Sequence, residues 1–204
     1  RMIRAAHEQG GRTLVLTPSY QDVNEFIRRL SDLDSKSLLA QERGTKLRAL
    51  LQSFQERESV LITPTGWEGL DLPGLIDNLI IARVPFIKPD DVQRRVMRKY
   101  FVEQCNLRGE EADRRVAAMD RLQTMNRLRQ GIGRALRKWD SRATIWIADP
   151  RFPWPEQRIK ESSQGPGSKQ HSLLLRSIPK RFREGIEGSP WERARLFDLE
   201  EEPA

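Results

Sequence analysis

The chain has 204 residues and carries 36 Lys and Arg against 29 Asp and Glu, a net charge of +7. That length suits one substantial core or two small ones. With no apolar run of about 18 residues and no signal peptide, neither a membrane span nor secretion is supported. The single Cys105 excludes an intramolecular disulfide and cannot ligate an iron–sulfur cluster alone. His7 and His171 are too few and too far apart to suggest a metal site, so no metal ligand is expected within the chain and a reducing, cytoplasmic setting is. The chain starts at Arg1 and reads as a piece of a longer polypeptide. Its basic balance favours a polyanionic partner, because neutralised phosphates release counterions.

In chain order, Arg12 to Thr17 (RTLVLT) is a short run of β-formers bounded by Gly10-Gly11 and Pro18, and it predicts a buried strand. Ser19 is placed to cap a following helix in which Val23, Phe26, Ile27 and Leu30 recur at helical spacing. Ser31 to Gly44 is polar and predicts irregular structure, and Lys46 to Phe54 predicts a helix through Leu47, Leu50, Leu51 and Phe54. Ser59 to Thr63 (SVLIT) is the next buried strand, then a Gly- and Pro-rich loop reaches Gly74, and Asn78 to Val84 forms a third strand stopped by Pro85.

From Pro89 to about Trp139 the pattern is helical and very basic, with Gly109 dividing it into two helices. Val92, Val96 and Tyr100-Phe101 supply the expected buried stripe of the first, and Val116, Met119, Leu122, Met125 and Leu128 that of the second. The arginines of this stretch fit either a solvated surface partly paired with Glu103, Glu110, Glu111 and Asp113, or a face that tracks phosphates. Ala143 to Ala148 is a further strand-like run, ending in Asp149-Pro150-Arg151. Beyond it, residues 161–172 have linker composition, and the segment 173–204 begins with an apolar stretch, Leu173 to Ile178, expected to dock back before a flexible acidic tail.

Alternating strands and helices predict an α/β fold, a parallel sheet flanked by helices, with the basic helices inserted between the third and last strands. Ligands of such sheets sit beyond the carboxyl ends of the strands, where the loops after Thr17 and Thr63 lie. Gln130-Gly131-Ile132-Gly133-Arg134-Ala135-Leu136-Arg137 carries the most chemistry. On a helix, Gln130, Arg134 and Arg137 fall within about 60° of one another, opposite Ile132, Leu136 and Trp139. Each interior glycine costs a helix about 1 kcal/mol relative to Ala, so Gly131 and Gly133 trade stability for room beside two guanidinium forks suited to phosphate oxygens.

Taken together, these loops resemble one known group. Thr63-Pro64-Thr65-Gly66-Trp67-Glu68-Gly69-Leu70-Asp71-Leu72-Pro73-Gly74 resembles motif V of the XPD/Rad3/DinG branch of superfamily-two helicases, with Gly66 where many members carry an aromatic residue. Leu79 to Phe86 is similar to that branch's next strand, Gln130 to Arg137 to motif VI, Ile145 to Arg151 to the closing strand, Leu14 to Tyr20 to motif IV, and Leu173 to Pro179 to a segment packed after the last strand. The resemblance implies the second, C-terminal RecA-like motor domain of a DNA helicase over residues 1–160, the basic helices (89–128) being an insertion.

By the same resemblance, Arg134 and Arg137 would be arginine fingers acting on ATP and Gln130 would position them or the attacking water. Glu68, Gly69 and Asp71 would face the nucleotide, and Ser19, Tyr20, Thr63 and Thr65 would touch single-stranded DNA. The phosphate-cradling G-x-x-x-x-G-K-[ST] and the metal-binding D-E-A-H do not occur in the chain. ATP and Mg²⁺ would therefore be shared with a first RecA-like domain of the same polypeptide, outside this chain. The implied activity is an ATP-dependent 5′→3′ helicase or translocase, with the isolated chain inactive. A CRISPR-associated DinG-type helicase, partnered by a CRISPR effector complex, and a DNA-repair helicase are the subtypes left open, as is an iron–sulfur cluster in the parent. The alternative is a non-catalytic nucleic-acid-binding adaptor; a nuclease finds no paired-carboxylate metal constellation.

Overall fold

The computed structural model describes residues 1–149 apart from Ser35, Glu68, Asp71, Pro73, 88–91 and 138–141, together with Ile178. Arg1–Asp149 form one unit and Pro150–Ala204 a second. The linker expected at 161–172, the tail and Arg151 lie outside the described residues, as does the docking segment except for Ile178. So does Trp139.

Within the first unit, five parallel strands form one sheet in the order β2-β3-β1-β4-β5. The strands are β1 (Thr13–Leu16), β2 (Leu38–Ala40), β3 (Val60–Thr63), β4 (Asn78–Ile81) and β5 (Thr144–Ile147). The three central ones are buried at every position, which is why they appear in the sequence as unbroken apolar runs rather than alternating ones. Val15, Ile62 and Ile80 stand in one row across the sheet and pack with Ile3 and Ala6 of helix α1 (Met2–Glu8) and Val23 and Leu30 at helix α2 (Tyr20–Arg29). Ser19 caps α2, its hydroxyl accepting from the Asp22 amide at 3.2 Å.

Helix α3 (Leu47–Glu56) follows, starting inside the expected span and running two residues past Phe54, which is fully buried. Two elements have no counterpart in the sequence pattern. One is α1; the other is β2, which falls where irregular structure was expected. β2 exists through its pairing with β3, extended on either side by Val60 N–H donating to Ser37 O at 2.7 Å and Gln41 N–H to Ile62 O at 2.9 Å. A strand three residues long has too little pattern of its own to be recognised.

The basic insertion consists of α4 (Val92–Glu103) and α5 (Gly109–Ala135). Gly109 opens α5 rather than breaking the chain; the reversal lies just before it, where Asn106 takes a left-handed φ of 55°. The expected stripe of α4 also needs correction, since Val92, Val96 and Tyr100 are 64%, 59% and 50% exposed. The opposite side of α4 faces α5 and is held by ion pairs, Arg94 to Asp120 at 2.8 Å and Arg98 to Asp113 at 2.7 Å. The side of α4 that meets α5 thus carries Arg94, Met97 and Arg98 rather than the valine row. On α5, Val116 and Leu128 are buried as expected and Met119 and Met125 are half-buried, but Leu122 is 53% exposed.

No helix among the described residues is long and apolar enough to cross a membrane. The Arg98 guanidinium holds the Asp113 carboxyl below its ordinary range, chiefly by hydrogen bonding. The contribution of this pair is therefore present above the ordinary carboxylate range and lost as pH falls through the lowered value. Both groups are well exposed, so the effect on stability is small. Arg98→Gln should return Asp113 to the ordinary range in an NMR pH titration; an unchanged Asp113 midpoint would refute the pairing as its cause.

Candidate functional site

The site lies at the carboxyl edge of the sheet, where the loops after β1 and β3 leave side by side. Leu16 is in register with Thr63, and Thr17 N–H continues the ladder to Thr63 O at 3.1 Å. The β3 loop is bound back onto β1 by Trp67, a buried side chain whose indole N–H donates to Thr17 O at 3.0 Å. A buried indole needs such an acceptor. Gly66, just before it, has no space for a side chain: a Cβ would lie 2.8 Å from Leu16 and Thr63 and 2.9 Å from Leu70. The departure from an aromatic at this position thus has its own packing. Gly69 carries a φ of +74°, so its backbone turn favours glycine directly.

The carboxyl end of α5 seats on this loop. A Cβ on Gly131 would meet the Trp67 ring at 2.9 Å and 3.0 Å and Leu16 at 3.1 Å, so this glycine admits protein, not a ligand. Gly133 is different, since a Cβ there would meet nothing within 4 Å. Of the two glycines expected to leave room, only Gly133 does so. Arg134 is half-buried, and its guanidinium donates to Trp67 O at 3.1 Å and also to Leu70 O. It therefore ties the helix to two carbonyls of the β3 loop. Ile132 and Leu136 are buried, as the helical projection requires. Arg137, however, lies past the end of the helix, which stops at Ala135 with Leu136 as its cap. The expected angular grouping with Gln130 and Arg134 does not extend to Arg137 as a helical position. Gln130 and Arg137 are both exposed.

The remaining expected residues divide unevenly. Ser19 and Tyr20 are half-buried at the start of α2, with the Ser19 hydroxyl also donating to the Asp22 carboxylate at 2.5 Å. Thr65 is exposed, but Thr63 is fully buried. The Thr63 hydroxyl cannot meet a DNA strand in this arrangement, because it is enclosed and donates to Gln41 Oε1 at 2.5 Å. Glu68 and Asp71 lie outside the described residues. Among the described residues no cluster of His, Cys, Asp and Glu could hold a metal ion.

Two further residues take part, one expected only as the end of the closing strand and one not singled out by the sequence. Asp149 is buried at the end of β5 and accepts Val84 N–H at 2.9 Å, clipping the last strand to the segment after β4. Gln41 follows β2, and no spacing or motif marks it. The seating of α5 has a direct test. Gly131→Val should displace Trp67 and shift its fluorescence, with a loss of about 1–3 kcal/mol from overpacking. An unchanged emission spectrum and denaturation midpoint would refute the close contact.

Comparison with known proteins agrees with this architecture. The helicase C-terminal domain family matches residues 2–166. The chain is 33% identical over 147 residues to the ATP-dependent DNA helicase YoaA of Haemophilus influenzae, covering 70% of this chain and 21% of that protein. It is 34% identical to the probable ATP-dependent helicase YpvA of Bacillus subtilis, covering 67% and 20%. The chain thus spans about a fifth of the length of these curated relatives. Among solved structures, S. tokodaii Xpd4 superposes with a TM-score of 0.51 at 17% identity, over 81% of this chain and 32% of that one, a likeness of fold. None of these three names bears on the CRISPR-associated subtype. With the parallel sheet, the Trp67 loop and the α5 terminus in place, the chain belongs to the helicase C-terminal domain family, as the RecA-like domain of its XPD/DinG-like branch.

Proposed function

We propose that this chain is the second motor domain of an ATP-dependent 5′→3′ DNA helicase or translocase. The observation that carries the reading is the seating of α5 on the β3 loop through Gly131, Trp67 and Arg134. It joins an exposed amide and cation, Gln130 and Arg137, to a loop that carries an exposed threonine, Thr65. A motor domain needs that coupling between a face for nucleotide and a face for the strand. The names of YoaA and YpvA, as ATP-dependent helicases, support the activity.

The residues present fit an ATP phosphate group. Gln130 and Arg137 are exposed at the surface, and a Cβ at Gly133 would meet nothing within 4 Å, so an anion can approach donors here without displacing packed side chains. ATP, with Mg²⁺ held mainly by the first RecA-like domain, would supply phosphoryl transfer to water. Arg137 would neutralise charge on the phosphoryl oxygens, and Gln130 would orient the attacking water. Arg134 would also serve as a finger, but two of its donors are engaged on Trp67 O and Leu70 O. It would therefore link the nucleotide face to the loop as well. Glu68, Gly69 and Asp71 remain proposed for the nucleotide side. Ser19, Tyr20 and Thr65 are proposed for the DNA backbone, with Thr63 supporting Thr65 from beneath. Such contacts hold a strand without reading its sequence.

Because the nucleotide's phosphate loop lies in another domain, the 204-residue chain should show no ATPase with or without single-stranded DNA. Robust turnover by the pure chain would overturn the split site. In the polypeptide that includes the first motor domain, Arg137→Ala should lower DNA-stimulated ATPase by about 10³-fold or more and spare DNA binding. Arg134→Ala should lower both. ATPase unaffected by either substitution would leave the adaptor reading. Gly133→Ala offers a sharper discrimination. It should stabilise the fold by up to about 1 kcal/mol in chemical denaturation while impairing ATPase, because the added methyl occupies space meant for ligand. Full activity in that variant would show that the gap is not used.

A further inference from the structure

Gln41 is 4% exposed, yet it carries an amide with four hydrogen-bonding positions. Its Oε1 accepts two hydroxyls, Thr63 at 2.5 Å and Thr65 at 2.7 Å, and its Nε2 donates to Thr45 O at 3.4 Å. Its backbone N–H is bonded to Ile62 O at 2.9 Å. One side chain thus joins the turn after β2 to the loop after β3. Burial of an amide is unfavourable unless it is satisfied in this way, and its role depends on all of these partners being present.

The order of donors defines what Gln41 does. Thr65 N–H donates to Thr63 Oγ1 at 3.1 Å, and Thr63 Oγ1 in turn donates its own proton to Gln41 Oε1. With that proton directed at Gln41, a lone pair of Thr63 is left pointing at the Thr65 amide. The Thr65 hydroxyl has a single proton, which at rest also goes to Gln41. A phosphate oxygen is an acceptor, so capture of a phosphate requires the Thr65 hydroxyl to turn away from Gln41. The amide then still holds Thr63, and Thr63 still holds the Thr65 backbone. The exchange leaves no buried group without a partner.

We propose that Gln41 is a positioning residue for strand capture. Through Thr63 it fixes the backbone of Thr65, and it accepts the Thr65 hydroxyl proton until a phosphate replaces it. This rests on the reading that the β3 loop contacts single-stranded DNA, and it adds a residue and a mechanism to that reading.

The test measures binding of fluorescein-labelled oligothymidylate to the 204-residue chain by anisotropy at low salt, for the unsubstituted protein and for Gln41→Leu, Thr63→Val, their combination and Thr63→Ser. Each of Gln41→Leu and Thr63→Val should weaken binding about fivefold, since each removes the same hydrogen-bonded link. The double variant should also lose about fivefold rather than about 25-fold, because the two residues act as one unit. Thr63→Ser keeps the hydroxyl and should bind within about twofold of the unsubstituted chain. Circular dichroism and thermal midpoints identify any variant that fails to fold. Thr63→Val is nearly isosteric and carries the test if Gln41→Leu does not fold. Unchanged binding in the folded variants, multiplicative losses in the double, or a loss in Thr63→Ser equal to that in Thr63→Val would overturn the inference alone. Absence of binding by the unsubstituted chain would instead overturn the strand-contact reading and this inference with it.

Discussion

The seating of α5 on Trp67 governs the functional edge. A helix axis can approach another surface this closely only where a side chain is absent, and Gly131 provides that absence against Trp67 and Leu16. Trp67 in turn is held by Thr17 O, so the contact reaches from α5 through the β3 loop to the end of β1. Arg134 reinforces it by donating to Trp67 O and Leu70 O. Three chain segments far apart in sequence thereby become one mechanical unit.

Sequence pattern was most informative where burial on both faces leaves little choice. β1, β3 and β4 are enclosed along their whole length, and such strands need continuous apolar residues regardless of their neighbours. β2 depends on its neighbour, because Leu38–Ala40 is ordered by pairing with β3. The apolar row of α4 was visible as a row, but its spacing cannot state which side meets α5. The partners on α5, Asp113 and Asp120, which pair with Arg98 and Arg94, become visible only once the two helices are side by side.

Within the site, residue identity was legible and role was less so. Gly131 and Gly133 are the same residue in the same motif, yet one is filled by an indole and the other has open space around it. Thr63 and Thr65 look equivalent in sequence, but strand geometry encloses one and exposes the other. Arg137 was placed by extrapolating a helix that in fact ends at Ala135. Gln41 was invisible because an amide means little until the groups opposite it are known. The family resemblance pointed to these loops, while which of their side chains are enclosed and which exposed emerged only from packing.

The length of α5 has a mechanical consequence. It runs without interruption for 27 residues, from its reversal against α4 to its seat on Trp67. Gly109 and Gly131 are separated by roughly 33 Å at helical rise. A tilt of about 10° at the seated end would sweep the far end through about 6 Å. The helix is thus a long arm whose seated end lies beside Gln130 and Gly133. A rotation of that size at the Trp67 seat would be felt at the α4 junction as a displacement of about one helical pitch.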